Sequence, residues 1–459
     1  MSSTKTATVT VEPPQSSSAP IELETIIHEA QPRQSSSNAA DPETGGETSE
    51  PQPPLPIFKI LVSGYSFFCA GLDSATLGPL VPHILDAFSI GTGHIAIIYA
   101  AIFAGWLLAA LTNPFLAALT NPFLAAHLHL GKLLFIGAIF QVFAQCLRPW
   151  APYSLFFSTF FFQALGMAFQ DTHSNTYVSA VRDSHRWLSF IHAMYALGGL
   201  VGPLISTAIA TAEEDREEGW RMVYYVTLGT SALNLIAVAL AFRDTLFLMK
   251  SQSVEAQREE RRNKEALEEV GQLLKLKNVW LMSAFYFFQS GAWSTSGGWV
   301  VEYLTQHRHG KLSKVGYVPT GFWAGVVLGR TLLAEPTFRF GEQRMILLYS
   351  CATLVLQLLF WLLPNLVASA TAYALMGFFF GPYFATGMRV SAKIIPRKVQ
   401  STGLGLIFVL AQAGAAIFPS FTGLIATSAG VQVLQPIVTA LIVGGGVCWW
   451  LLPNVTLKK

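Results

Sequence analysis

Twelve apolar runs, each long enough to cross a bilayer, follow one another between residues 57 and 453. A helix needs roughly 20 residues to span the hydrocarbon layer. Inside that layer the backbone must satisfy its own hydrogen bonds. A chain written this way has one general solution, a bundle of membrane-spanning helices. The runs fall at 57–83, 92–126, 131–148, 152–181, 187–211, 220–242, 278–304, 316–336, 345–364, 366–391, 401–428 and 433–453. Composition agrees: 52% of residues are hydrophobic and 12% charged, where soluble proteins carry about 25% charged residues. The expected fold class is an all-α polytopic membrane protein with 12 transmembrane helices in two six-helix halves.

The segments between and beyond the runs divide the chain. Residues 1–55 are rich in Ser, Thr, Pro, Gln and Glu and read as a disordered tail, without the basic start and apolar core of a signal peptide. Residues 56–242 form the first half and 278–453 the second, with a short tail at 454–459. The linker 243–277 alternates charge signs, and Leu267, Val270 and Leu273/Leu274 recur at helical spacing. It reads as an amphipathic helix under the bundle. Twelve crossings put both termini on one side. If that side is the cytosol, the outer loops hold only Arg148, Arg216, Arg221, Arg308, Lys311 and Lys314 of the 29 Lys and Arg, which is the expected asymmetry. Arg330, Arg389 and Lys393 fall near cytosolic ends and read as snorkelling anchors, with substrate binding as the alternative. One irregularity stands out: Ala110–Ala117 is repeated without change at 118–125. Eight extra residues add about 12 Å and rotate the helix by about 80°, so the repeat reads as a tandem insertion or gene-model error.

The stretch Gln170-Asp171-Thr172-His173-Ser174-Asn175 interrupts the fourth run. Asp171 lies about 16 Å along the helix from Arg182, near mid-bilayer, where a charge costs at least about 2.5–3.5 kcal/mol. Such a group has to face protein or a water-filled path. Gln163, Met167, Gln170/Asp171 and Ser174/Asn175 share a stripe, while His173 points elsewhere. Asp171 is read as a proton or substrate site, the alternative being a structural carboxyl paired to a neighbouring helix. Asp73 lies about 21 Å from Lys59 and is also deep. In the first half Asn175, His192 and Tyr195 complete the candidates. His192 reads as a proton relay or a hydrogen-bonded structural histidine. In the second half Gln289, Trp293 and Ser296 share a face of the seventh run, and Gln412 lies in the eleventh. Aromatic faces and amides suit a sugar ring or a flat organic molecule; helix packing is the competing explanation for each.

The halves echo one another. Gly198-Gly199-Leu200-Val201-Gly202-Pro203 in the fifth run has a counterpart in Gly403, Gly405, Gly414 and Pro419 of the eleventh. Further along, the groups Gly297-Gly298-Trp299-Val300-Val301, Gly316-Tyr317-Val318, Gly321-Phe322-Trp323, Leu328-Gly329-Arg330, Gly341-Glu342-Gln343-Arg344, Ile395-Pro396-Arg397-Lys398 and Val433-Leu434-Gln435-Pro436 stand out. On these residues the chain resembles the major facilitator superfamily, and within it the fungal bypass-of-stop-codon branch related to fucose:proton symporters. Gly71-Leu72-Asp73 and Asp171 through Asn175 are similar to the fucose-permease first and fourth helices. That resemblance implies proton coupling through Asp73 and Asp171, with sugar contact at Asp171. There are departures: His192 and Tyr195 stand where the fucose relatives carry Gln and Asn, and Trp293 stands where fungal relatives often carry an acid.

These readings converge on proton-coupled uptake of a sugar or small polar solute by alternating access. Burial penalises the charged carboxyl, so Asp73 and Asp171 are expected to take up and release protons as the path opens. The alternatives are proton-driven efflux of a hydrophobic metabolite, weakly suggested by Gly198-x-x-x-Gly202-Pro203, and a non-transporting sensor. No nucleophile–base or metal constellation favours an enzyme, no phosphate loop supplies an ATP motor, and no cofactor is expected. The expected partners are a small-molecule substrate, protons and the lipid bilayer, with no nucleic acid. The protein is expected to be a monomer, in the plasma membrane rather than the vacuole.

Overall fold

The computed structural model describes residues 56–112, 129–213, 216, 218–246, 271–396 and 399–453. The described chain is helical, with no strand among the described residues. Twelve principal helices run α1 Ile57–Ala87, α2 Thr92–Thr112, α3 Leu130–Leu147, α4 Tyr153–Ser179, α5 Ser184–Ala212, α6 Val223–Ala241, α7 Lys277–Gln306, α8 Val318–Leu332, α9 Glu342–Leu362, α10 Leu366–Phe380, α11 Gln400–Ala429 and α12 Leu434–Trp450. The face on which α1 begins is termed the near face and the opposite one the far face. The second repeat copy, the tail 1–55, the C-terminal tail and most of the linker helix, with Leu267 and Val270, lie outside the described residues. The linker's last turn is described, and there Leu273 is buried against Ile395 and Gly403.

Nine of the described helical stretches are long and apolar enough to cross a membrane. The exceptions are α4, α7 and α8. Helices α4 and α7 are diluted by the polar residues the sequence marks as functional, and α8 is only 15 residues long. The helix continues past a break at Leu333 as Ala334–Phe340, and α10 breaks at Gly381-Pro382 before resuming as Tyr383–Ile394. Pro382 has no N–H to continue the ladder. Outward faces are apolar: Leu233, Ile236 and Leu240 form a stripe on α6, and Leu348, Val355 and Leu362 one on α9, all exposed. An exposed apolar stripe at helical spacing is a lipid-facing surface. Cys146 and Cys351 also face outward, while Cys69 is buried.

The packing repeats with a shift of six helices. Helix α1 packs on α5 and α6 as α7 does on α11 and α12; α2 packs on α4 as α8 does on α10; α3 packs on α4 and α6 as α9 does on α10 and α12. Between the halves, α2 meets α11, α5 meets α8, and α1 meets α7. Bare glycine backbones allow the closest of these approaches. A Cβ on Gly198 would sit 2.0 Å from the Phe68 carbonyl of α1, and one on Gly414 2.0 Å from the Phe287 carbonyl of α7. The glycine echo in the sequence is therefore one packing device used twice. Pro419 in α11 cannot donate to the Ala415 carbonyl; the Ser294 hydroxyl of α7 donates to it instead, at 2.6 Å.

Candidate functional site

Asp73 sits in the first half, clamped by its neighbours. Its Oδ1 accepts from Arg148 Nη1 at 2.6 Å and from Gln145 Nε2 at 2.5 Å. Gln145 Oε1 in turn accepts from Thr227 Oγ1 at 2.8 Å, and Arg148 Nε donates to Thr159 Oγ1 at 3.1 Å. The guanidinium lies 4.0 Å from the Phe160 ring centroid. Arg148, read from the sequence as a loop charge, is 1% exposed, and Arg221 is buried too, donating to the Ala151 carbonyl. Arg148 closes the third apolar run and Arg221 opens the sixth, both in the turns where the chain re-enters the bundle. A second polar layer lies beside the first. Gln170 Oε1 accepts from Gln141 Nε2 at 2.8 Å and from Asn234 Nδ2 at 2.9 Å, and Ser66 donates to Asn234 Oδ1. Helical spacing builds both layers: Gln141, Gln145 and Arg148 follow one stripe from α3 into the turn beyond it, and Ser66/Asp73 on α1 and Thr227/Asn234 on α6 are each seven apart.

Asp171 is different. It is 7% exposed, it makes no hydrogen bond or ion pair among the described residues, and its Oδ1 is buried without a partner. One residue is about 100° of helix, so Gln170 turns toward α3 and α6 while Asp171, also buried, turns toward Tyr195 of α5; the single stripe expected from the sequence splits there. Gln163 and Ser174 are buried with unpartnered polar atoms, Asn175 is half-buried, and His173 stacks against Phe169.

Helix α5 carries the connection to the second half. Tyr195 lies in electrostatic range of Ser74, Asp171, Arg330 and Asp73. Its ring is 6.0 Å from that of Trp323 on α8, which is 5.1 Å from that of Trp293 on α7. Trp323 reaches this position because Gly199 has no side chain: a Cβ there would lie 2.5 Å from the indole. The His192 ring packs between Phe67 and Phe384, and its carbonyl accepts from Arg330 Nη1 at 2.6 Å. Arg330 therefore reaches across the interface between halves and does not snorkel, contrary to the sequence expectation. Arg389 and Lys393 are not free anchors either; both pair with Glu342.

The structure thus brings Asp171, His192, Tyr195 and Trp293 around the interface, with Trp323 and Arg330 between them. Asp73 keeps to its own network. Ser296 donates to Tyr373 on α10 at 3.0 Å. Gln289 faces Gly445 of α12, with its Nε2 unpartnered. Gln412 is half-buried on α11. The sequence carried no signal for Arg148 and Trp323 as site residues and favoured anchoring over substrate binding for Arg330; it also carried none for Glu302, which is 3% exposed on α7 with Oε2 unpartnered. Among the described residues no three His, Cys, Asp or Glu side chains gather to hold a metal ion.

The chain matches the Major Facilitator Superfamily sequence profile over residues 64–369 and 282–459. It is 22% identical over 429 residues to Bypass of stop codon protein 6 of Saccharomyces cerevisiae, spanning 87% of this chain and 83% of that one. It is 22% identical over 375 residues to the glucose/mannose transporter GlcP of Bacillus subtilis, spanning 78% and 86%. Among solved structures, the E. coli fucose:proton symporter FucP superposes with a TM-score of 0.59 at 14% identity, covering 88% of this chain and 100% of that one. With two six-helix halves packed in the same pattern and a family profile that matches nearly the whole described bundle, the chain belongs to the Major Facilitator Superfamily.

Proposed function

We propose that this protein takes up a sugar or another small polar solute with protons, by alternating access of its two halves. One observation carries the reading: Asp171 is a deep carboxyl without a partner, linked through Tyr195 and Trp323 to the opposite half. A charge held there is costly, so the group is suited to carry the coupled proton while the path is closed and to release it when water enters. Asp73 supplies a second coupling point. In its ionised form it holds Arg148 and Gln145; a proton on it would free Arg148 and loosen the tie between α1 and the α3–α4 turn. Tyr195, Trp293, Asn175 and His192 are the groups nearest this path. Gln412 lines the opposite half, and Gln289 and Ser296 support α7. The path runs within one chain, which fits a monomer.

The near face is assigned to the cytosol. Burial of Arg148 and Arg221 leaves fewer free basic side chains on the far face, which strengthens the charge asymmetry. Uptake places the protein in the plasma membrane. Efflux is the opposite reading, but its sequence support weakens: Gly198 and Gly202 pack on the α1 backbone and Gly199 on Trp323, so packing alone explains the motif. The test is proton-driven accumulation in right-side-out and everted vesicles across a solute panel. Uptake in the former that Asp171→Asn abolishes is expected; accumulation confined to the latter contradicts the direction.

A further inference from the structure

The guanidinium of Arg330 has no part in the coupling scheme above. It is half-buried near the end of α8, ten residues before Phe340, and no carboxylate among the described residues pairs with it. Among the described residues its one hydrogen-bond acceptor is a backbone carbonyl, that of His192 on the opposite half. A carbonyl leaves the positive charge uncompensated. Buried charges are retained where something of opposite sign meets them. Across the interface stands its complement, Asp171, a carboxyl with an unpartnered oxygen. Both lie in electrostatic range of Tyr195, and the Trp293 and Trp323 rings stand beside it.

We propose that Arg330 binds the carboxylate of the transported solute, so that the solute is a small carboxylate-bearing, hydroxylated molecule of the sugar-acid kind. The inference rests on the transport reading above and narrows its substrate. A planar guanidinium matches a carboxylate bidentately. With the solute in place, the His192 carbonyl gives up Arg330, and the solute takes over the bridge between α8 and α5. A protonated Asp171 donates to a solute hydroxyl, while the aromatic rings cover the sugar face. One guanidinium balances one negative charge, so a phosphate ester, with nearly two, fits less well.

The experiment is thermal melting of the purified full-length protein at matched ionic strength. The probes are sodium gluconate, galacturonate, lactate, glucose, galactose and glucose 6-phosphate. At least one carboxylate is expected to raise the melting temperature by about 2 °C or more, with smaller shifts from glucose, galactose and glucose 6-phosphate. Arg330→Gln is expected to lose that shift and Arg330→Lys to keep part of it. Neutral sugars shifting the protein as much as the acids, no shift with any carboxylate, or an unchanged shift in Arg330→Gln would each overturn the proposal. The comparison of acids with neutral sugars needs no variant, so poor folding of Arg330→Gln leaves it decisive. Proton-driven movement of a neutral sugar would sink this inference and leave the transport reading standing, whereas no proton-driven movement of any solute sinks the reading itself.

Discussion

At the residue scale, two acids that look alike in sequence differ in what surrounds them. Asp73 compensates Arg148, so Asp73→Asn leaves a 1%-exposed guanidinium without a counter-charge. Breaking such a pair costs about 3–5 kcal/mol. A marked drop in melting temperature is expected for Asp73→Asn, with recovery when Arg148→Gln is added. Asp171→Asn breaks no bond among the described residues, and its melting temperature is expected to move by less than about 1 kcal/mol equivalent, while proton-driven accumulation fails. Thermal melting beside flux separates the two roles. Depth along a helix made both acids legible in the sequence. What surrounds them was not legible. Arg148 sits at the edge of an apolar run, where one dimension cannot tell a loop charge from a buried one. Arg330 looked like a membrane anchor because reach across an interface leaves no mark on local pattern.

At the scale of helices, the packing rests on backbone contact. Gly198→Ala would drive a Cβ into the Phe68 carbonyl of α1, and backbone cannot move aside as a side chain can; a loss of at least about 1–3 kcal/mol is expected. Gly229 on α6 has nothing within 4 Å of its missing Cβ, so Gly229→Ala is expected to leave melting within about 1 kcal/mol, or raise it through helix propensity. The amount of folded protein in membranes and its melting temperature check the pair. The runs of apolar residues located the starts of the helices to within a few residues because hydropathy reports crossing length directly; the end of the second run, at 126, lies outside the described residues. Averaged hydropathy did not place the breaks in α10 at Gly381-Pro382 or after α8 at Leu333, because a window that spans a break blends the residues on both sides; at Gly381-Pro382 the Gly-Pro pair itself was the local signal. The split between Gln170 and Asp171 also escaped the sequence: adjacent residues share a stripe only within about 100°, and both are buried, but the partners on α3 and α6 claim Gln170 and leave Asp171 to the side of Tyr195.

At the scale of the molecule, the halves touch toward both faces. Toward the far face, Ser420 of α11 donates to the Ala96 carbonyl of α2 at 3.2 Å, and Gly78 of α1 meets Gly297 of α7. Toward the near face, Arg330 meets His192 and Phe384 packs on the His192 ring. Alternating access requires these contacts to open in turn. A thiol cross-link between Ala96→Cys and Ser420→Cys, in a background without native cysteines, is expected to stop solute movement, and reduction of a cleavable linker to restore it. The six-plus-six plan was readable from the charged linker at 243–277 and the glycine echo, because repeated halves leave repeated spacing. The contacts between the halves were not, because each involves residues far apart in the chain.

The central claim is that Asp171 carries the coupled proton between two rocking halves. Its most direct test is a comparison of wild type and Asp171→Asn in proteoliposomes with an imposed pH gradient, following both net accumulation and solute exchange at equal pH. The account predicts that Asp171→Asn loses gradient-driven accumulation and keeps exchange, because a neutral side chain there still lets the loaded protein reorient. Accumulation at the wild-type level in Asp171→Asn would contradict it.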